Sequence, residues 1–171
     1  MSSAISATQP RSPRLINVLG FLACLLGLMY ALYAQYYLLL EPCPLCILQR
    51  VALAALGVVF IVAALHEPRA WGSRVYALLI ALAAGAGAGV AGRQVWLQSL
   101  PADQVPACGP GFDYLWETFP LLEVLGTVLR GSGECAKIDW TFLGFSMPVW
   151  TFVMFVGLGV LGALRNWLGA R

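Results

Sequence analysis

The sequence predicts an all-α membrane protein, a four-transmembrane-helix bundle with one long loop that carries a short amphipathic helix. Hydrophobic residues make up 60% of its 171 residues and charged residues only 11%. A soluble domain of this size must present a polar surface to water, so lipid is the predicted solvent for most of the chain. The net charge of +2, without a basic run, gives no indication of nucleic-acid binding.

Four apolar stretches are long enough to cross a bilayer, for which a helix needs about 20 residues. The first follows Arg11 and Arg14 as a signal peptide would, but its apolar run exceeds the roughly 7–15 residues of a signal-peptide core. We therefore interpret it as a span. A single membrane domain of residues 1–171 is predicted, with a loop over 96–141 and spans over approximately 15–38, 45–65, 75–95 and 142–164.

Glycines are concentrated in the third predicted span. Gly85 and Gly89 stand in G-x-x-x-G register, a spacing that lets two membrane helices approach closely. We expect the four glycines of this span, Gly85, Gly87, Gly89 and Gly92, to form a close helix-packing face.

The distribution of cations predicts the orientation of the bundle. Cytoplasmic loops of membrane proteins carry an excess of lysine and arginine. With four spans, both termini share one side with the 66–74 loop, whose only acid is Glu67. That side is predicted to be the cytoplasm, because it holds Arg11, Arg14, Arg69, Arg74, Arg165 and Arg171.

The chain has five cysteines, and four of them fall on the predicted non-cytoplasmic side: Cys43, Cys46, Cys108 and Cys135. Disulfides form and persist in that compartment. Four cysteines permit three pairings, which the sequence does not distinguish. The local pairs 43–46 and 108–135 are the simplest resting state. Cys24 lies inside the first span, where it is interpreted as a small buried apolar residue.

The first pair forms a C-x-x-C motif at the head of the second span, in the stretch Glu41-Pro42-Cys43-Pro44-Leu45-Cys46. The prolines place the helix start near Pro44 or Leu45, which puts Cys46 in the first turn, where the helix dipole favours a thiolate. Arg50 lies on the same face one turn deeper and favours any anion bound there. A snorkelling Arg50 and purely structural disulfides remain alternatives. No metal site is predicted, because the second cysteine pair is too widely spaced for structural zinc.

The long loop contains one further predicted element. Asp113–Arg130 is predicted to be a short amphipathic helix in the headgroup region, interrupted at Pro120. Its apolar side is expected to comprise Leu115, Trp116, Phe119, Leu122, Val124, Leu125 and Val128. Glycine-rich stretches at 109–111 and 131–133 flank the helix, so Cys108 and Cys135 are expected on flexible arms. Such arms suit exchange with a protein partner, and equally an inert surface disulfide.

Several motifs, in this order, resemble the disulfide bond formation protein B (DsbB) family of bacterial inner membranes. They are the C-P-x-C-I-x-x-R element, the four-span layout, the cysteine pair of the second outer loop and the stretch Asp139-Trp140-x-Phe142-Leu143-Gly144-x-Ser146-Met147-Pro148-x-Trp150. The resemblance covers nearly the whole chain, from about Leu15 to Leu164. It implies an enzyme of the inner membrane with its active cysteines in the periplasm.

The resemblance also implies a reaction. A thiol oxidase of this type reoxidises a periplasmic dithiol oxidase, DsbA-like, and passes the electrons to ubiquinone or menaquinone in the membrane. Cys108 would be attacked by the partner thiolate, Cys135 would be released and attack Cys43, and Cys46 would face the quinone. Arg50 would stabilise negative charge on Cys46 or on a quinone oxygen.

One position departs from the family pattern. Family members often carry a histidine near the outer end of the third span, where this sequence has Gln94. A glutamine can hydrogen-bond a quinone oxygen but cannot carry a proton at neutral pH, so Gln94 or Arg93 would act by hydrogen bonding alone. The alternative function is a membrane binding or transport protein whose periplasmic disulfides only brace its loops.

Overall fold

The computed structural model describes residues 13–68, 71–101, 103–109 and 112–169. Its first three helices are α1 (Pro13–Tyr36), α2 (Pro44–His66) and α3 (Trp71–Gln98). The loop that follows carries α4 (Phe112–Thr118), α5 (Leu121–Arg130) and α6 (Gly133–Ala136), then the strands β1 (Thr141–Phe142) and β2 (Phe145–Ser146), and α7 (Met147–Leu168) ends the chain. Within the described residues, four helices (α1, α2, α3 and α7) are long and apolar enough to cross a membrane. The prediction of an all-α, multi-pass membrane protein is confirmed.

The four long helices pack around two phenylalanines. α3 packs along α7, and α2 lies between α1 and α3. Phe60 of α2 and Phe155 of α7 are fully buried at the centre. Phe155 lies over Gly87, where an added Cβ would come within 2.3 Å of the ring. This contact needs a glycine, because any side chain at position 87 would overlap Phe155.

The glycine face predicted in the third span is confirmed for Gly87 and Gly92, which pack against Phe155 and Phe152 of α7, but it is wrong for the G-x-x-x-G pair. Gly85 and Gly89 are exposed, and an added Cβ at either position would meet nothing within 4 Å. The helix instead turns Gly87 and Ala84 toward α7, where Ala84 lies against Gly159. The packing face of α3 is therefore formed by Ala84, Gly87 and Gly92, and Gly85 and Gly89 lie outside it. Cys24 is buried against Gly57, as predicted.

The end of the bundle opposite the cysteines is joined by a buried amide pair. Asn17 of α1 and Asn166 of α7 are fully buried and donate to each other at 3.1 and 2.8 Å. Ser73 of α3 donates to the Asn166 carbonyl at 2.5 Å. Polar groups buried in an apolar bundle are costly unless paired, so this cluster specifies how three helices meet.

The start of α2 agrees with its prediction. Pro44 is the first helical residue and Cys43 is the N-cap, with an extended backbone (φ −68°, ψ 163°). The Cys43 sulfur accepts from the Cys46 N–H at 3.3 Å, as a capping side chain does. The two cysteines thus stand at the cap and in the first turn of one helix.

The loop differs from the single amphipathic helix predicted over 113–130. Pro120 caps α5 in an extended conformation (φ −65°, ψ 151°), so the segment folds as two helices, α4 and α5. Three of the apolar side chains predicted to share one side are buried, namely Leu115, Val124 and Val128, whereas Trp116, Phe119 and Leu122 are exposed. The apolar residues therefore do not share one side: some pack against the bundle and the others are exposed. The break at Pro120 gives α4 and α5 different orientations, so one continuous apolar side does not form.

A tight hairpin precedes the last helix, which begins at Met147 rather than near residue 142. Thr141 pairs with Ser146, and the two residues at the tip, Leu143 and Gly144, have φ values of +52° and +82°. Two central residues with positive φ define the turn that matches the twist of a two-residue hairpin. This conformation is incompatible with a helix, so α7 starts only after β2.

Candidate thiol-exchange site

Three of the four predicted active cysteines meet at the head of α2. The sulfurs of Cys43 and Cys46 are 2.9 Å apart. Cys135, in α6, is fully buried and belongs to the same buried cluster as Cys43. All the cysteines are free thiols. Cys43 therefore lies between its motif partner and a cysteine from the distant loop.

The surroundings of Cys135 favour its thiolate. Hydrogen bonds lower the pKa of Cys135 to about 6, against the opposing effect of burial. The largest effect comes from the Cys43 side chain, and the backbone N–H groups of Leu45, in the first turn of α2, and of Ser132 add to it. The hydroxyl of Ser132 lies 3.8 Å from the sulfur. Hydrogen bonds to Cys135 and to Cys46 raise the pKa of Cys43 above its ordinary value. In the reduced site, Cys135 therefore forms a thiolate more readily than Cys43 does.

Cys108 is the exposed member of the set. A Cβ added to Gly133 would lie 3.3 Å from the Cys108 sulfur, and the Gly133 N–H donates to the Ala107 carbonyl at 3.3 Å. The arm that bears Cys108 thus lies against the start of α6, the helix that contains Cys135. The segments that carry the two loop cysteines therefore lie side by side, with Cys108 exposed and Cys135 buried.

The Gln94 side chain of α3 contacts both sulfurs of the C-x-x-C motif. Its Nε2 donates to Cys46 at 3.3 Å and to Cys43 at 3.4 Å, and its Oε1 lies 3.6 Å from the Cys46 sulfur. Gln49 of α2 donates through Nε2 to the same Oε1 at 2.6 Å. Both glutamines are buried. The sequence predicted that Gln94 hydrogen-bonds a quinone oxygen, but it indicated neither the contacts of Gln94 with the sulfurs nor any role for Gln49. The one signal for Gln49 was a polar residue three positions after Cys46 in an apolar helix.

Arg50 lies one turn deeper than Cys46, as expected, but its hydrogen bonds run to α1. The guanidinium donates to the Gln35 side chain and, at 3.0 Å, to the Ala31 carbonyl. The contact at Cys46 that the sequence assigned to a cation is made instead by the uncharged amide of Gln94. Arg50 is half-buried, and its two α1 partners explain why an arginine is tolerated in this part of a span.

Arg93, the other candidate at the end of α3, faces away from the thiols. Its guanidinium donates to the carbonyls of Leu129 and Arg130 at 3.2 and 2.9 Å, and it stacks over Trp96 at 4.2 Å. These carbonyls are the last of α5, which a cation at a helix C-terminus satisfies. Arg93 therefore fastens the loop to the bundle.

A cavity of about 250 Å³ adjoins the thiols, close to the lower end of ligand sites at roughly 300 Å³. Cys46, Arg50 and Gln94 all line it. The remaining walls include apolar side chains such as Leu53 and Met154, and aromatic rings, Tyr30, Trp140 and Trp150. Charged and polar side chains also line the cavity, among them Glu41, Gln98, Lys137 and Asp139. Ring faces with polar groups beside them can hold a flat apolar ring that bears oxygens. Among the described residues, no group of three or more His, Cys, Asp or Glu could hold a metal ion, and the absence of a metal site stays a prediction.

The chain combines a multi-pass helical bundle with two cysteine pairs at one end of it. This combination is typical of membrane-embedded thiol–disulfide oxidoreductases. The family model "Disulfide bond formation protein DsbB" matches residues 13–164, and the chain belongs to this family. It is 57% identical over 150 residues to disulfide bond formation protein B of Nitrosococcus oceani, covering 88% of this chain and 89% of that one. The namesake from Marinobacter nauticus is 53% identical over 163 residues, covering 91% and 97%. That of Methylococcus capsulatus is 49% identical over 160 residues, covering 94% and 98%. The chain is a disulfide-forming membrane oxidoreductase.

Proposed function

We propose that the protein reoxidises a DsbA-like periplasmic dithiol oxidase and delivers the electrons to ubiquinone or menaquinone in the bacterial inner membrane. The observation that carries the proposal is the burial of Cys135 and Cys43 in one cluster, against which Cys46 packs, beside a mostly apolar cavity that Cys46 lines. A purely structural pair of disulfides would not need its two pairs to touch. Family membership likewise favours this function over that of a membrane binding or transport protein with inert disulfides.

The thiol steps follow the order of the sulfurs. With both pairs oxidised, a partner thiolate attacks Cys108, forms a mixed disulfide and releases the Cys135 thiolate. Cys135 then attacks Cys43, which breaks the 43–46 disulfide and releases the Cys46 thiolate. The second partner thiolate resolves the mixed disulfide and frees Cys108, which attacks Cys135 and releases Cys43. The partner leaves as a disulfide, and two electrons remain on Cys43 and Cys46.

The cavity lies where those two electrons must leave. Cys43 and Cys46 would return to a disulfide by giving up two electrons and two protons, which a quinone held there would take. Cys46 and Gln94 supply the sulfur and an amide donor at one wall, and Arg50 supplies a cation at another. Tyr30, Trp140 and Trp150 offer ring faces for an apolar head group.

The orientation of the bundle belongs to the same proposal. Cations gather at the end opposite the cysteines, where Arg14 pairs with Glu67 and Arg74 lies over Trp167. Under the excess of lysine and arginine in cytoplasmic loops, that end faces the cytoplasm and both termini lie there. Cys108 then faces the periplasm, where a protein partner can reach it.

The test is quinone-dependent oxidation of a reduced DsbA-like protein by the purified full chain in detergent. Both partner thiol loss and quinone reduction are followed. Cys46→Ser should abolish quinone reduction, whereas the matched variant Cys24→Ser, which changes a cysteine distant from the site, should turn over as the parent does. Undiminished quinone reduction by Cys46→Ser would refute the proposed route.

The role of Cys108 is tested separately. Cys135→Ser removes the cysteine that would otherwise form a disulfide with Cys108. When this variant is oxidised together with a partner that has a single reactive cysteine, a disulfide-linked adduct between Cys108 and the partner should therefore accumulate on a non-reducing gel. Cys108→Ser should form no adduct. An adduct of equal yield in both variants would contradict the assignment of Cys108 as the partner-facing cysteine.

A further inference from the structure

Gln49 is a buried polar residue that has no role in the sulfur path described above. It is 6% exposed and lies in α2, while its hydrogen-bond partner Gln94 is 3% exposed and lies in α3. Burying two primary amides in an apolar bundle is costly unless their groups are paired. The pair exists because Gln49 Nε2 donates to Gln94 Oε1 at 2.6 Å.

An amide side chain has one accepting and one donating end, so a partner at one end decides what the other end presents. Oε1 of Gln94 accepts from Gln49 at 2.6 Å and lies 3.6 Å from the Cys46 sulfur. The NH₂ group is closer to both sulfurs, at 3.3 Å from Cys46 and 3.4 Å from Cys43. The reversed amide would place two NH₂ groups against each other and turn a carbonyl oxygen toward the sulfurs. An oxygen there would repel a thiolate, whereas N–H groups stabilise one.

We propose that Gln49 is a positioning residue, which orients the Gln94 amide so that its N–H groups stabilise the reduced Cys43–Cys46 pair. The inference rests on the proposed function, because it explains why the Cys43–Cys46 disulfide, beside the proposed quinone cavity, is easily reduced. A disulfide is a stronger oxidant when its reduced form is stabilised. The pair can then accept electrons from the loop cysteines while the Arg50 guanidinium is hydrogen-bonded to α1 and not to Cys46.

The experiment measures the redox equilibrium of the Cys43–Cys46 pair against glutathione, in the full chain with Cys108→Ser and Cys135→Ser. Neither quinone nor protein partner takes part, so failure of the inference is distinguishable from failure of the proposed function. The double-mutant cycle combines Gln49→Met and Gln94→Met, which keep the size of the side chains and introduce no charge. The matched control is Gln104→Met, since Gln104 is an exposed loop residue.

Gln94→Met should shift the equilibrium toward the disulfide about tenfold, which corresponds to roughly 30 mV for this two-electron couple. Gln49→Met should shift it about threefold when Gln94 is present and by less than 1.5-fold when position 94 is Met, because Gln49 acts only through Gln94. Gln104→Met should leave it unchanged. An equal shift by Gln49→Met in both backgrounds, or none in either, overturns the inference.

A second measurement needs no variant at position 49, should Gln49→Met not fold. In the chain labelled with nitrogen-15 glutamine, the side-chain NH₂ signal of Gln94 is identified by its loss in Gln94→Met. Reduction of the Cys43–Cys46 disulfide should shift this signal strongly and that of Gln49 weakly, because only the Gln94 N–H groups point at the sulfurs. A larger shift at Gln49 would show the reversed amide orientation and overturn the inference.

Discussion

Removal of the Arg93 guanidinium should loosen α5 without unfolding the bundle. The guanidinium donates to two carbonyls at the C-terminus of α5 and stacks over Trp96 at 4.2 Å. A hydrogen bond to a charged donor contributes about 1.5–3 kcal/mol when buried, but these contacts are solvent-exposed and are worth far less. The cation–π contact adds about 0.5–1 kcal/mol at an exposed site.

Together these contacts should contribute about 1–2 kcal/mol to the docking of α5, which corresponds to roughly a tenfold change in its opening equilibrium. The assay is amide hydrogen exchange in detergent. In Arg93→Met, amides of α5 should exchange about tenfold faster, while those in the middle of α2 should keep the parent rate. Arg93→Lys keeps the charge but loses the planar fork, so an intermediate rate is expected.

The matched control is Arg74→Met, which removes a similar arginine–tryptophan contact at the far end of the bundle. It should leave α5 exchange unchanged. If α5 in Arg93→Met exchanges within twofold of the parent, Arg93 does not hold the loop. The prediction bears on the thiols because Val124 and Val128 of α5 belong to the same buried cluster as Cys43 and Cys135.

Two further predictions concern packing and titration. Gly87→Ala should lower the thermal unfolding midpoint in detergent, since its Cβ would overlap Phe155 and overpacking costs roughly 1–3 kcal/mol. The control Gly89→Ala should leave the midpoint unchanged or raise it, because no atom lies within 4 Å of the added Cβ. An equal decrease of the midpoint in both variants would contradict this packing. The thiolate absorbance difference between the reduced parent and Cys135→Ser should titrate with a midpoint near pH 6, since the pKa of Cys135 is lowered to about 6. The thiolate is present above that pH and lost as the pH falls through it; a midpoint near the ordinary thiol value of about 8.5 would refute the assignment.

The fold was predictable because its signal is collective. Four long apolar stretches, separated by charged ends, specify four spanning helices whatever their detailed packing. The packing face of the third span was not predictable in the same way, since Gly85, Gly87 and Gly89 all stand in a glycine- and alanine-rich stretch. Which of them faces Phe155 depends on how α3 is rotated about its axis, and a helix that is apolar all round carries no periodic signal for that rotation.

The site was predictable where its residues are neighbours in the sequence. Cys43 and Cys46 share one helix start, so the prolines and the spacing already placed one at the cap and one in the first turn. Arg50 was placed on the right face by the same helix geometry. Its partners were not predictable, because Gln35 and Ala31 belong to α1 and meet Arg50 only after the helices pack.

The contacts between distant segments show why an uncharged amide can stand where a cation was expected. Cys46 lies at the N-terminus of α2, so the helix already supplies positive potential to a thiolate. An additional guanidinium in contact would be costly to bury in a span, whereas the Gln94 amide, held by Gln49, supplies N–H groups at little desolvation cost. The arginine is then free to bind α1 and line the deeper wall of the cavity. These positions follow from burial. Uncharged dipoles stabilise negative charge next to the Cys46 sulfur, and the charged Arg50 guanidinium lies one helical turn away.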